Sequence, residues 1–259
     1  MSLTMMALRI CAVQALKAGN TLVGDNVLDS QISAIDQTAD GRLRSDQQRP
    51  FIAVYTDAAK SQDLAQTGLR ANGRVDVMFN CGVSLTMAQT DKATGEASIV
   101  EGFPATDAHF EAVIDALDVQ IGRVLTDPDN PWSQVFGDFV QAYVAKDHVR
   151  SSSAAENVRL AAGQTKLSID VFADPRLGQP LAEGGPWPRF LALMQAEGVP
   201  QLALFQMLLG EADTGPYAEF EQLTGMTSRD ANALRLYAYG DVARDVTITG
   251  MNAAGGPVW

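Results

Sequence analysis

The sequence predicts an α+β fold: an antiparallel sheet of about four strands flanked by helices, with a C-terminal mainly helical extension. Three observations predict it. The opening segment and Thr106 to Leu125 repeat apolar residues at helical spacing. The segments starting at Arg74 and at Thr165 alternate apolar and polar residues, as half-buried strands do. Strand spacing does not give the repeated βαβ units of a doubly wound fold, so helices and sheet are segregated.

The elements follow in order. Leu3, Met6, Ile10, Val13 and Leu16 form one stripe, which predicts a helix from Ser2 to Lys17 with Gly19 as its C-cap. Residues 20–48 are polar around Val23, Val27, Ile32 and Ile35, an exposed stretch with one short strand. Arg49 to Thr56 reads as a strand, with Pro50 at its start. Asp57 to Asn72 is a long polar connection. In Arg74 to Ala88, Val75, Val77, Phe79 and Cys81 share one face, and Gly82 shifts the pattern as a bulge would. Residues 89–104 read as a hairpin tip and return, with Gly95 at the turn and a short strand from Ser98 to Val100.

Thr106 then N-caps a helix whose stripe is Phe110, Val113, Ile114, Leu117, Ile121, Val124 and Leu125. Prolines at 128 and 131 stop it, and Pro131 opens a further helix to Lys146, with Trp132, Phe136, Phe139 and Tyr143 at helical spacing. Val149 to Gln164 is rich in Ser and Ala and reads as a loop. Thr165 to Ala173 alternates strictly and is a strand, ended by Asp174-Pro175. The composition changes near Pro180. This divides the chain into an α+β domain over residues 1–180 and a helical extension over residues 181–259. Short helices are expected at Trp187 to Glu197, Val199 to Gly210, Tyr217 to Leu223 and Ser228 to Tyr239. A last strand is expected at Asp245 to Thr249, and Trp187, Phe190, Leu191, Met194, Leu202, Phe205, Leu208 and Leu209 are available for a core.

The chain has 259 residues, 46% hydrophobic and 19% charged, which is a globular balance. Its formal net charge of -12 argues against condensation on nucleic acid or on anionic membranes, since both need clustered Lys and Arg. The two cysteines, Cys11 and Cys81, sit in apolar runs and read as buried free thiols. The first residues lack the basic start of a signal peptide, and Arg9 interrupts their apolar run. No stretch reaches the roughly 18 apolar residues of a membrane span. The expectation is a protein made in the cytoplasm, with no membrane contact.

Chemistry is sparse. The two histidines, His109 and His148, leave little for metal or triad sites. His109 lies between Asp107 and Glu111, and alternate positions on a helix diverge, so the three do not converge. His148 reads as a cation favoured at a helix C-terminus. Asp115 and Asp118 read as helix-surface charges. No nucleophile elbow, P-loop, dinucleotide fingerprint or zinc-protease motif occurs. No catalytic, cofactor-binding or metal-binding residue is assigned, and no cofactor is expected.

Several segments together resemble a known family. These are the opening helix with Arg9, the strands RPFIAVYTD (Arg49 to Asp57) and GRVDVMFNCGV (Gly73 to Val83), the helix TDAHFEAVIDALDVQIGRVL (Thr106 to Leu125), and RLAAGQTKLSIDVFADP (Arg159 to Pro175). The chain resembles, over residues 1–180, the tail-terminator and minor-tail proteins of long-tailed bacteriophages and gene-transfer particles. The resemblance implies an α+β protein with no catalytic residues that closes into a hexameric ring on the tail tube. Such a ring ends tube polymerisation and presents a surface to the head connector. The implied partners are further copies of the chain, the tail tube protein and a head-tail connector or stopper protein. DNA would pass through the acidic lumen without specific binding, and the location would be the tail or neck of a virion. Candidate inter-subunit or partner loops carry Lys60, Asp63, Arg70, Asp91, Lys92 and Glu96. The extension departs from the family pattern, and its composition break suits a decoration of the ring. Another neck component, such as a head-completion or adaptor protein, is the alternative, and a carboxylate-dependent hydrolase is a more distant one.

Overall fold

The computed structural model describes residues 2–31, 36, 37, 43, 44, 47, 49–61, 71–84, 89, 90, 97–100, 103, 104, 106–155, 158–175 and 180–210. In chain order the described elements begin with α1 (Leu3–Ala18), β1 (Val27–Asp29), β2 (Asp36–Gln37), β3 (Leu43–Arg44), β4 (Phe51–Lys60) and β5 (Arg74–Ser84). Then come β6 (Gln89–Thr90), β7 (Ala97–Val100), β8 (Phe103–Pro104), α2 (Asp107–Leu125) and α3 (Pro131–Phe139). The last are β9 (Val140–Ala155), β10 (Val158–Val171), α4 (Pro186–Ala196) and α5 (Leu202–Leu209). The elements expected over Tyr217 to Leu223, Ser228 to Tyr239 and Asp245 to Thr249 lie outside the described residues.

The class is α+β. A five-stranded sheet in the order β1-β4-β5-β10-β9 carries the helices, and β2-β3 and β6-β7-β8 form small separate ladders. The sheet is mixed rather than wholly antiparallel, because β1 joins β4 in parallel. All other neighbours in it are antiparallel. On β5 the expected alternation holds: Val75, Val77, Phe79, Cys81 and Val83 are all buried. They face α2, because Gly163, opposite Cys81, lies so close to that helix that a Cβ on it would sit 2.7 Å from Ile114 Cγ2. The α1 helix packs on β1 and β4, and α3 packs between α1 and α4.

The chain after Pro131 differs from expectation. The helix expected to reach Lys146 ends at Phe139, where Val140 turns extended (φ -92°, ψ 123°). Val149 to Gln164 is not a loop but the far half of a long hairpin, and the strand expected from Thr165 already starts at Val158. The physical reason is pairing. The run VQAYVAKDHV has β-branched and aromatic residues that suit a strand. A ladder with β10 from Val140 to Ala155 then outweighs a weak local helical spacing. The bulge expected at Gly82 is absent, since the register with β10 runs unbroken through it and Gly82 still pairs with Phe51 of β4. The irregularities fall instead at Thr56/Ala58, Ser168/Ile169 and Asp170/Val171.

Caps fix where the helices start. Asn130 Oδ1 accepts from the Trp132 and Ser133 backbone N–H groups at the head of α3, and its amide donates to Ala15 O of α1 at 3.1 Å. At the head of α1, Ser2 Oγ accepts from Met5 N. The Asp174 carboxylate also accepts there, from Leu3 N, Thr4 N, Thr4 Oγ1 and, from the β5 side, Asn72 Nδ2. The Asp174 charge thus sits on the positive end of the helix dipole. Gly19 follows α1 as expected, but in an ordinary conformation; the left-handed residue is Asn20 (φ 49°). Glycine is required at 19 for space, because a Cβ there would lie 2.4 Å from Val124 Cγ2.

Contacts divide the chain into two compact units, Met1–Asp174 with Leu181–Val199, and Pro175–Pro180 with Pro200–Trp259. In the first unit, α4 completes the core rather than decorating it. Trp187 and Phe190 meet Phe139 edge-on at 4.9 Å and 5.9 Å between ring centres, and Phe190 meets Trp132 at 6.2 Å. Trp132 Nε1 donates to Glu197 Oε1 at 2.8 Å. In the second unit, α5 ends on Gly210, whose left-handed φ of 81° lets its N–H return to the last turn.

Candidate functional site

Among the loop residues expected to meet partners, Lys60 is described; Asp63, Arg70, Asp91, Lys92 and Glu96 lie outside the described residues. Lys60 ends β4, is exposed, and lines an open depression of about 290 Å3 with Gly73, Arg74 and Asp170. Arg74 is already engaged there: its guanidinium donates to both Asp170 oxygens, and that hydrogen-bonded charge raises its pKa.

The more distinctive surface is β9. It stands at one end of the sheet and pairs, among the described strands, with β10 alone. Every residue from Gln141 to Arg150 is exposed. Tyr143, Val144 and Val149 are 56%, 40% and 60% accessible. In an antiparallel pair, alternate residues turn their backbone N–H and C=O away from the partner. Along β9 those groups face outward with no ladder to any described strand, which makes the strand a template for another chain.

Behind this edge lies a polar row. Lys146, His148 and Arg150 pair with Leu167, Thr165 and Gly163, so all three project to the side of the sheet that carries α2. There they meet Asp115 and Asp118 of that helix. Lys146 Nζ donates to Asp118 Oδ2 at 2.8 Å, and Thr165 Oγ1 donates to Asp118 Oδ1 at 2.7 Å. His148 Nδ1 lies 2.9 Å from Thr165 Oγ1 and 3.6 Å from Asp118 Oδ1. Arg150 Nε donates to His148 Nε2 at 3.4 Å, and the Arg150 guanidinium pairs with Asp115. Arginine has only donors, so Nε2 accepts and Nδ1 holds the imidazole proton, which it gives to Thr165.

Burial alone would push the Asp118 carboxyl up. The hydrogen bonds from Lys146 and Thr165, with the charge of Lys146, outweigh it and hold the carboxyl below its usual range. Across the sheet interior, burial pushes the Cys81 thiol up to about 12, helped by the Asp118 charge. The Cys11 thiol is raised by burial as well.

The row lines up Asp118, Thr165 and His148, but Thr165 is 2% exposed and its hydroxyl donates to Asp118. The arrangement therefore fastens helix to edge strand. Among the described residues, no group of three or more His, Cys, Asp or Glu could hold a metal ion. No described helix is long and apolar enough to cross a membrane.

Two expectations are corrected here. His148 is not at a helix end but in the middle of a strand, and Asp115 and Asp118 are partners of that strand rather than plain surface charges. The signal was present in Lys146, His148 and Arg150, cations or cation formers at every second position. It was hidden by reading Pro131 to Lys146 as helix. His109 lies at the start of α2, 2.6 Å from Thr106 Oγ1.

The chain matches no protein-family model and no curated protein.

Proposed function

We propose that the chain is a structural assembly protein, a tail-terminator-like subunit that closes into a hexameric ring on a phage tail tube and carries no catalytic site. The observation that carries the reading is the open β9 edge, a sixteen-residue strand with exposed Tyr143, Val144 and Val149. An edge of that length with no described strand beside it is an aggregation hazard on a monomer, blunted here over Lys146 to Arg150 by charge but not at Tyr143 and Val144. Assembly into a closed ring covers it. The α+β fold is the one the resemblance implies. The net charge of -12 suits a lumen that lets DNA pass without holding it.

The ring would end tube growth by occupying the tube's last subunit layer and offer its other face to a connector or stopper protein. The test is the mass and shape of the purified protein. Light scattering after gel filtration should give six chains, and micrographs should show rings with a central channel. Replacing Val144 and Val149 together by Lys should leave the far-UV circular dichroism unchanged and reduce the assembly to monomers. A monodisperse monomer, alone and with tail tube protein present, would overturn the reading.

A further inference from the structure

We infer that the ring contact is heterologous, with the β9 edge of one copy pairing antiparallel to the β1 edge of a second copy; the inference rests on the ring reading above. Two independent observations carry it.

The first is strand polarity. β1 runs parallel to β4, β4 antiparallel to β5, β5 antiparallel to β10, and β10 antiparallel to β9. The two outer strands of the sheet therefore run in opposite directions. A copy generated by rotation about an axis lying along the strands keeps every strand direction. Its β1 then arrives beside β9 in antiparallel sense, and the sheet continues from protomer to protomer.

The second is the sense of the ion pairs at the two edges. At β9 the cation sits on the strand and the anion on the helix behind it: Lys146 with Asp118, and Arg150 with Asp115. At β1 the order is reversed. Asp29 sits on the strand and Arg9 on α1 behind it, 2.6 Å away, with Arg9 the more buried of the two (13% against 31% side-chain exposure). Asp25, just before β1, is 82% exposed but already paired with Arg49 at 3.2 Å. Asp29 pairs with Val54, which is opposite Phe79, so Asp29 lies on the helix side of the sheet, as do Lys146 and Arg150. Placing β1 against β9 sets the anion end of the Asp29–Arg9 pair before the cation ends of the Lys146–Asp118 and Arg150–Asp115 pairs, on the same side of the joined sheet.

The competing two-fold contact, β9 against β9, meets a like-charge clash in the register centred on His148. An antiparallel pair related by a two-fold axis normal to the sheet sets residues of like parity opposite one another. With His148 at the centre, Lys146 of one copy would face Arg150 of the other, and like charges directly opposite are destabilising.

The experiment uses the full chain and two exposed positions, Ser30 at the end of β1 and Val144 on β9. Ser30→Cys and Val144→Cys are made singly and together, and treated with a bismaleimide spacer; near-ultraviolet circular dichroism checks the fold. Neither single variant should cross-link with itself. Co-expressed single variants should give a cross-linked dimer, and the double variant a ladder that ends at the ring. Cross-linking of Val144→Cys with itself would overturn the inference in favour of the two-fold contact. Rings in micrographs without any cross-link would overturn it while leaving the ring reading standing. Absence of self-association in every variant and in the parent chain would overturn both.

Discussion

Replacing Thr165 by Val removes one hydroxyl and keeps the shape. In the native structure that hydroxyl donates to Asp118 Oδ1 at 2.7 Å and accepts from His148 Nδ1 at 2.9 Å, at a site 2% exposed. A hydrogen bond to a charged acceptor contributes about 1.5–3 kcal/mol, and the neutral bond from His148 roughly 1 kcal/mol more. Asp118 and His148 are about a quarter exposed, so water replaces part of what is lost. The expected cost is about 2 kcal/mol, or a Tm lower by roughly 4–8 °C for a protein of this size. Urea unfolding followed by tryptophan fluorescence reads it, with Thr165→Ser as the control that keeps the hydroxyl.

The pH dependence has a defined sign. Asp118 is held below its usual range, so its contribution is complete above the unfolded carboxyl pKa of about 3.9 and is lost as pH falls through the lower, folded value. The variant lacks one of the bonds that lower it. The gap between variant and parent should therefore be full at neutral pH and close on acidification below about pH 4. A difference under about 0.5 kcal/mol at pH 7, or a gap that widens on acidification, would refute the linkage of α2 to β9 through Thr165.

Two further outcomes are expected. Phe190→Ala should lower stability by about 3–5 kcal/mol, because the ring is fully buried among Trp132, Phe139 and Trp187; a urea midpoint unchanged from the parent would show that α4 is not part of that core. Cys11 and Cys81 should stay unreactive toward a chromogenic disulfide reagent at pH 8 and both react once urea unfolds the chain; rapid labelling of the native protein would contradict their burial.

Much of the fold was legible because its core elements carry clean periods. The stripe of α2 is buried at every expected position, so pattern and burial agree there; α1 is buried around most of its circumference, with Leu3 and Met6 only partly covered, and β5 is buried on both faces from Val77 to Val83. The hairpin was not legible for the same reason in reverse. Gln141 to Arg150 buries no apolar residue, so no alternation of apolar and polar residues marks it as a strand. Its identity comes from pairing with residues such as Thr165 and Ile169, which lie 17 and 26 positions from their partners His148 and Tyr143. Trp132, Phe136 and Phe139 then extended the helical spacing past its true end, through a Tyr143 that stands in solvent. The polar row was missed with the strand that bears it. The composition break near Pro180 is real, yet Trp187 and Phe190 face a hydrophobic surface that only the folded α3 offers.

The Asp174 clamp has a consequence for how the chain folds. One carboxylate at the end of the last sheet strand caps the first turn of the first helix, joining positions 171 residues apart. Until that residue is in place, the head of α1 lacks those acceptors, and its apolar stripe has only part of the sheet to cover. The first unit therefore closes last at its own beginning. High sequence separation of this kind makes loop closure slow relative to local helix formation. A rate-limiting search that ends with α1 docking is the expected kinetic signature, with the Asp174→Asn chain refolding more slowly as well as less stably.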